Sequence, residues 1–454
     1  MHERIYFLSC LFLCIAASLA GEPSLLRGIF KESTPPIPLT LEAAKQIALE
    51  KNPSAKAASA GYYSANESVG VAQSAYYPSY GFDWSYQRFQ QHLFFPPIPA
   101  PIPIPTILGP FNNFTIQATS RLLVYDFGRR RAQLMVAVAQ EGIAQEEISR
   151  IEQQILLDVS LAYFDLAASK ELYEVAVKNL ERAEDHVKVA KDRKKAGAVP
   201  LVDVLQSQVS AAQNKQSLVK AKNHVRIALG NLHIAMGLPP GYMYDVLPEN
   251  MKIISPDTID VEEGMEVAAS HRPEIAQGFQ RLEVYQQKIK EARSEFGPKI
   301  TADGYYGRQD DTYYPKDPYW SFGITFHMPL FDGFRDVHNT RKAQADYCQE
   351  VAQFEKLKLS IVHEVWDAYS KLTEAYESIQ TAIVQVADAK ESQRLASERY
   401  KSGAGTLLDM LDNDTALARA EAVHVEAHWN YNSAYTKYLW SQGLLIPQLC
   451  DDIR

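Results

Sequence analysis

Hydrophobic positions along this chain follow two rhythms, and each rhythm occurs twice. Steps of four and three link Ile155, Val159, Ala162, Leu166, Ala176, Leu180, Ala183, Val187 and Ala190, with Ser169 and Tyr173 between them. Moving 206 residues along gives Ile361, Val365, Ala368, Leu372, Ala375, Ile379, Ala382, Val386, Ala389 and Ala396, with Gln393 as the one break. Spacing of this kind predicts a coiled-coil seam. Its many alanines predict closely approaching helices that also touch neighbours, as in a wall. From Arg129 to Ala196 the pattern predicts one helix of 68 residues, which would be about 100 Å long.

The second rhythm has period two. Tyr80, Phe82, Trp84 and Tyr86 alternate with Gly81, Asp83, Ser85 and Gln87. Phe114, Ile116, Ala118 and Leu122 alternate with Thr115, Gln117, Thr119 and Arg121. Trp320, Phe322, Ile324, Phe326 and Met328 alternate with Ser321, Gly323, Thr325 and His327. Residues 300–309 are weaker, with Ala302 and Gly304 where the first copy has Phe82 and Trp84. Transmembrane barrel strands alternate in this way, and so do the strands of a soluble sandwich. The aromatic weight of the apolar faces favours the barrel, as does the presence of only four strands in 454 residues. Four strands cannot close a barrel, since about eight are needed to enclose even a packed interior. Several chains must then share one.

Between the long helical patterns lies a repeated string, KAGAVPLVDVLQSQ at 195–208 and KSGAGTLLDMLDND at 401–414. Each is a glycine-bearing turn between two helical runs, and so the tip of a helical hairpin. The tips fall near 197–200 and near 403–406. They are not equivalent. The second has Asp412 where the first has Gln206, and the flexible Gly403-Ala404-Gly405 where Pro200 stiffens the first. Gating is expected in the second.

Ahead of each strand pair, helical runs opening at Thr40 and at Val261 pass Asn52-Pro53 and Arg272-Pro273, which lie 220 residues apart, and reach Ala75 and Glu295 at the same offset. The offset falls to 206 because the first copy carries 14 extra residues, placed in the proline-rich segment 94–110. Proline cannot donate to a ladder, which predicts a loop there. The expected plan is a signal peptide (1–20), an extended leader (21–38) and a first repeat (39–237) with β-hairpin 80–123. A linker (238–260), a second repeat (261–443) with β-hairpin 300–328, and a tail (444–454) follow.

Formal charge is −9, which argues against a nucleic-acid partner. Arg4, the apolar run Ile5–Ala17 and the small residues Ser18-Leu19-Ala20 predict secretion with a cut near Ala20/Gly21. Cys10 and Cys14 would leave with that signal, and neither follows a lipidation sequence. Cys348 and Cys450 remain, expected as free thiols. No segment holds eighteen consecutive apolar residues, so a membrane crossing would have to be made by strands. His424 and His428 share a helical face at metal-binding spacing, but no third ligand is evident and a solvated face is expected. Phosphate loop, nucleophile elbow and CxxC motif are all missing from the sequence. No cofactor, no metal and no enzymatic activity are therefore expected.

With the duplication, the tips and the strand-to-helix junctions LLVYDFGRR (122–130) and MPLFDGFRD (328–336), the chain resembles the TolC-like outer-membrane efflux protein family. The resemblance spans essentially the whole mature length. It implies a tandem-duplicated α+β membrane protein and a homotrimer whose chains each give four transmembrane strands to a shared 12-stranded β-barrel. It also implies a periplasmic α-helical barrel of long coiled-coil helices. In that reading Tyr80, Phe82, Trp84, Tyr86, Trp320, Phe322 and Phe326 face outer-membrane lipid. The tips, Gly197, Ala198, Val199 and Pro200 with Gly403, Ala404, Gly405 and Thr406, meet a periplasmic adaptor bound to an inner-membrane transporter.

The resemblance further implies that Asp409 and Asp412 lie at the pore entrance, six acids in the trimer. Asp409 has an alternative as a helix-start carboxylate, since Asp203 holds the matching place. Tyr400 and Asp203 match two members of the family's entrance lock. Gly405 and Val202 depart from it, so a closed state is expected either to rest on other contacts, such as Lys401 or Arg399, or to be looser. The implied function is passive export, with small-molecule efflux first and type I protein secretion as the alternative. A soluble periplasmic coiled-coil scaffold is the rival from another class.

Overall fold

The computed structural model describes residues 37–92, 107–240, 244–247 and 253–445. The expected signal, most of the expected leader, most of the proline-rich segment, Cys450 and residues 446–454 lie outside the described residues. Two compact units form. One comprises residues 1–57, 149–272 and 359–454, the other 58–148 and 273–358.

The elements follow from local rules. Thr40 caps α1 (Leu41–Lys51), its hydroxyl accepting the Ala43 amide at 3.2 Å, and Pro53 opens α2 (Pro53–Ser74). Strands β2 (Ser79–His92) and β3 (Ile107–Tyr125) lead to α3 (Arg129–Lys195), which turns into α4 (Leu201–Ala235). The second copy repeats the order: α5 (Val261–His271), α6 (Pro273–Ser294), β5 (Lys299–Asp310), β6 (Asp317–His327), α7 (Arg335–Ser402) and α8 (Leu407–Ser441). Two three-residue strands, β1 (Ile37–Leu39) and β4 (Tyr244–Val246), pair in parallel.

In the first unit the seam residues of α3 and α7 are buried or half-buried. Val159, Leu166, Val365 and Leu372 are fully so. The core joins Leu39, Leu41, Ala44 and Ala48 to Ile155, Tyr163 and Phe164, with Val425 and Trp429 of α8 closing it. The Tyr163 hydroxyl lies 3.0 Å from the carbonyl of Leu39 and 2.7 Å from that of Leu247, so it pins β1 and the end of β4 to α3. Patterning does not reveal these strands, because three residues are too few to show a period.

In the second unit the sheet order is β2-β3-β5-β6, antiparallel throughout. Residues directly opposite share a face, so the register sorts the side chains. One rung runs Phe82, Ala118, Tyr306, Trp320, and the next runs Tyr80, Ser120, Gly304, Phe322. Trp84 with Ile116 and Tyr86 with Phe114 continue that face. The opposite face carries Asp83, Gln117 and Tyr319, with Arg121 and Asp303 paired at 2.7 Å. The weak strand 300–309 is explained by its neighbour: a Cβ on Gly304 would lie 3.4 Å from the Phe322 ring, so the aromatic next door covers the glycine.

One expectation needs correction. The proline content of 94–110 predicts a loop throughout, yet β3 begins at Ile107, opposite His92. The register shifts between Phe89 and Gln91, and a bulge there frees Pro110 from donating to the ladder.

Each strand-to-helix junction places two consecutive residues at positive φ. They are Phe127 (54°) and Gly128 (93°) in the first copy, Gly333 (72°) and Phe334 (66°) in the second. Asp126 caps α3 by accepting the Arg130 amide at 2.7 Å, and Asp332 caps α7 by accepting the Asp336 amide at 2.9 Å. Phe127 folds over Gly297, where any Cβ would come within 2.0 Å of its ring.

Tyr163→Phe removes the donor shared by the two strand ends and should cost about 1–3 kcal/mol in chemical denaturation. An unchanged midpoint would mean that this hydroxyl does not hold the small sheet in place.

Candidate site at the helical tips

Both tips end a long helix with a glycine in the left-handed region, Gly197 at φ 75° and Gly403 at φ 81°. The amides of Ala198 and Ala404 reach back to the carbonyls of Arg193 (2.9 Å) and Arg399 (2.8 Å). This arrangement satisfies carbonyls that a helix end leaves open. Gly197, Ala198 and Pro200 are exposed and Val199 half-buried; Gly403, Ala404 and Thr406 are exposed and Gly405 half-buried.

The helices that leave the tips start differently. Pro200 precedes α4 with no side-chain cap. Thr406 and Asp409 form a capping box at the start of α8: the Thr406 hydroxyl accepts the Asp409 amide at 3.1 Å, and the Asp409 carboxylate accepts the Thr406 amide at 3.4 Å. These hydrogen bonds, then the charge of Arg399, hold the Asp409 carboxyl below the usual aspartate range. Asp409 therefore has the helix-start contact that was its alternative reading, and it is also exposed. Asp412, one turn on, is exposed. Asp203 is half-buried.

Tyr400 is buried with Leu407 and Met410. The Arg193 guanidinium lies 4.7 Å from its ring centroid and donates to its backbone carbonyl. Burial and the nearby Asp203 charge push the phenol upward, against the opposing effect of Arg193. The cation that meets Tyr400 is Arg193, just ahead of the first tip. Arg193 is not among the residues expected at this contact, which are Lys401 and Arg399. A signal existed, because Arg193 and Arg399 are repeat partners at the 206 offset, two residues ahead of the string that marks the tips.

Farther from the turns, α3 is tied to α8 by His186 to Asp414 (2.6 Å) and Arg182 to Glu421 (2.8 Å). Gln393 of α7 donates to the same Asp414 at 2.8 Å. His428 is half-buried, and burial lowers its imidazole. Among the described residues no group of three or more His, Cys, Asp or Glu side chains could hold a metal ion. In the sheet, Tyr80, Phe82, Trp84 and Tyr86 are exposed on the same face as exposed Trp320, Phe322 and Phe326.

The sequence pattern of the outer membrane efflux protein family matches residues 44–238 and 265–437. Protein CyaE of Bordetella pertussis is 23% identical over 393 residues, covering 85% of this chain and 80% of that protein. The pyoverdine export outer membrane protein OpmQ of Pseudomonas aeruginosa is 24% identical over 334 residues, 69% of this chain and 66% of its own length. Among solved structures, the outer membrane protein VceC of Vibrio cholerae superposes with a TM-score of 0.73 at 20% identity, over 89% of this chain and 96% of that one.

The capping box predicts a pH effect of fixed sign. Because the folded Asp409 carboxyl is depressed, its contribution is present above the unfolded value, about pH 4, and is lost as pH falls through the folded one. Amide-exchange protection at Asp409 should drop over that acid range and lose its pH dependence in Asp409→Asn. Protection that ignores pH in the unaltered chain would refute the assignment.

Proposed function

Because this chain belongs to the outer membrane efflux protein family, we propose that it is a passive export channel of the outer membrane. In this reading three copies pool twelve strands into one barrel, and their helices continue as a tunnel in the periplasm. The observation that carries the reading is the sheet. It is antiparallel, aromatic on one face and polar on the other, with Arg121 and Asp303 paired on the polar side. A lipid-facing surface and a water-facing surface require that division. Among the described residues no helix is long and apolar enough to cross a membrane, so strands are the crossing elements.

The tips form the periplasmic entrance and meet an adaptor that is bound to an inner-membrane transporter. The chain performs no chemistry of its own. Exposed Asp409 and Asp412 set the entrance charge, repeated in each copy, and favour cations. The contact of Arg193 with Tyr400 holds the second tip to the first in the closed state. Small-molecule efflux is the preferred cargo class, and the pyoverdine export protein among the relatives supports it.

Purified chain added to planar bilayers should give discrete conductance steps with cation preference. Asp409→Asn with Asp412→Asn keeps an acceptor for the cap while removing charge, and should lower that preference severalfold. Arg193→Ala should raise conductance. A chain that stays soluble and monomeric without detergent and never conducts would sink the channel reading. Unchanged selectivity in the double variant would place the two acids away from the lumen.

A further inference from the structure

The two faces of the four-stranded sheet treat charge differently. On the polar face Arg121 and Asp303 pair at 2.7 Å. On the aromatic face, the register through 80–88, 112–122, 300–310 and 318–326 leaves every side chain uncharged except Arg88, Arg308 and Asp310. All three stand at the end of the strands farthest from the helices. Both arginines are exposed. Among the described residues neither guanidinium has an ion pair or a side-chain hydrogen bond. The Asp310 carboxylate accepts the Asp311 amide at 2.7 Å.

Depth decides what such arginines cost. On the lipid side of a barrel strand an arginine costs about 2–4 kcal/mol at mid-bilayer and about 0–1 kcal/mol near an interface. From the Ile300–Phe326 rung to Arg308 is about 27 Å along the strand, or about 20 Å in height for strands tilted by about 40°. The apolar band of such a barrel is about 25 Å tall. Arg308 therefore stands near the far edge of the band, and its long side chain extends to the headgroups beyond. Trp84 shares the rung of Arg308, so Arg88 lies four residues farther out.

Aromatic rings frame the two cations. The Tyr86 and Phe114 ring centroids are 4.6 Å apart. Tyr313, from the loop between β5 and β6, folds back onto Trp84 at 6.0 Å and Phe114 at 5.8 Å. The loop thus lies against the outward face, at the level where amphipathic rings settle in a bilayer.

We propose that Arg88 and Arg308, framed by Trp84, Tyr86, Phe114 and Tyr313, bind the phosphate of an anionic lipid headgroup in the outer leaflet. The proposal rests on the channel reading given above and adds a lipid site to it. Guanidinium groups match phosphate oxygens with two parallel hydrogen bonds. The two Cα positions are two strands and four residues apart, about 17 Å, so extended side chains grip one headgroup from opposite sides. Lys316 and Asp311 of the loop offset each other, and two arginines less Asp310 leave a local charge of +1 on a chain of formal charge −9. A free phosphate ion would meet exposed arginines in water, where such pairs are weak. The rings favour an anion carried on acyl chains.

Full-length chain purified in detergent, titrated with a diacyl phosphatidic acid and followed by native mass spectrometry, should retain the lipid. The diacylglycerol with the same acyl chains should not be retained. Arg88→Gln with Arg308→Gln should weaken retention about tenfold or more. Lysine at both positions should recover part of it, and Arg121→Gln, on the other face, should leave it unchanged. Arg308→Gln alone should show a smaller loss, and it serves where the double variant no longer conducts in planar bilayers. Diacylglycerol retained as strongly as phosphatidic acid, or glutamine variants that conduct and bind like the unaltered chain, overturns the site. Inorganic phosphate that competes as well as phosphatidic acid overturns the lipid assignment. An unaltered chain that conducts but retains no phosphatidic acid removes the site and keeps the channel. A chain that stays soluble without detergent and never conducts removes both.

Discussion

An aromatic sheet face without cover is the constraint on which the other features depend. Tyr80, Phe82, Trp84, Tyr86, Trp320, Phe322 and Phe326 lie on one side of four strands and remain 48–78% exposed in the single chain. Burying a side chain of this size yields about 2 kcal/mol. Seven together rival the whole stability of an ordinary domain, about 5–15 kcal/mol. Such a face is a defect in water and an asset in hydrocarbon. The polar reverse face, with its ion pair and its Tyr319–Gln117 hydrogen bond, has the opposite requirement. A sheet that must be wet on one side and oily on the other has to be closed, and four strands are too few to close it. In the proposed channel, sharing between copies then becomes part of the fold.

Duplication supplies the geometry for that sharing, and small departures from it supply the direction. The residue order Phe127-Gly128 becomes Gly333-Phe334 in the second copy, with both positions in the left-handed region each time. The backbone path is kept while the bulky side chain moves by one position. At the tips the departures are of another kind. Pro200 leaves α4 without a side-chain cap, whereas Thr406 and Asp409 give α8 two reciprocal hydrogen bonds. The two hairpins thus share a template, and their differences fall at the turns and junctions, where the proposed channel meets other copies and partners.

Features carried by a period were legible in the sequence. The seam from Ile155 and its echo from Ile361 fixed the long helices, and the alternation in 80–87 fixed the strand face. Features carried by a single distant contact were not. Strands β1 and β4 exist because Tyr163 and parallel pairing hold three residues apiece, and no window of that length shows a pattern. Arg193 looked like an ordinary basic residue in the last turn of a helix, where such residues are common. Its role follows from Tyr400, 207 positions away. Asp409 was ambiguous for a different reason: a carboxylate three residues after a threonine serves a cap and an entrance equally well, and sequence does not exclude either.

In the proposed channel, the contact between Arg193 and Tyr400 sets the energy scale of the entrance. A cation over a phenol ring contributes about 0.5–2 kcal/mol, and the added hydrogen bond to the Tyr400 carbonyl is of similar size. Two such terms keep one conformation dominant without making the other inaccessible. Shifting an equilibrium from strongly closed to strongly open takes about 5.5 kcal/mol of differential binding, which is within reach of a protein partner docking on a tip. An arginine–carboxylate lock buried in the same place would be harder to reverse, because removing one partner strands a buried charge. In the proposed gate the turn at 403–405, with Gly403 exposed and Gly405 half-buried, is the flexible point, and the Thr406–Asp409 cap holds the start of α8 together. The proposed gate thus pairs a contact weak enough to release with a helix start firm enough to transmit the movement.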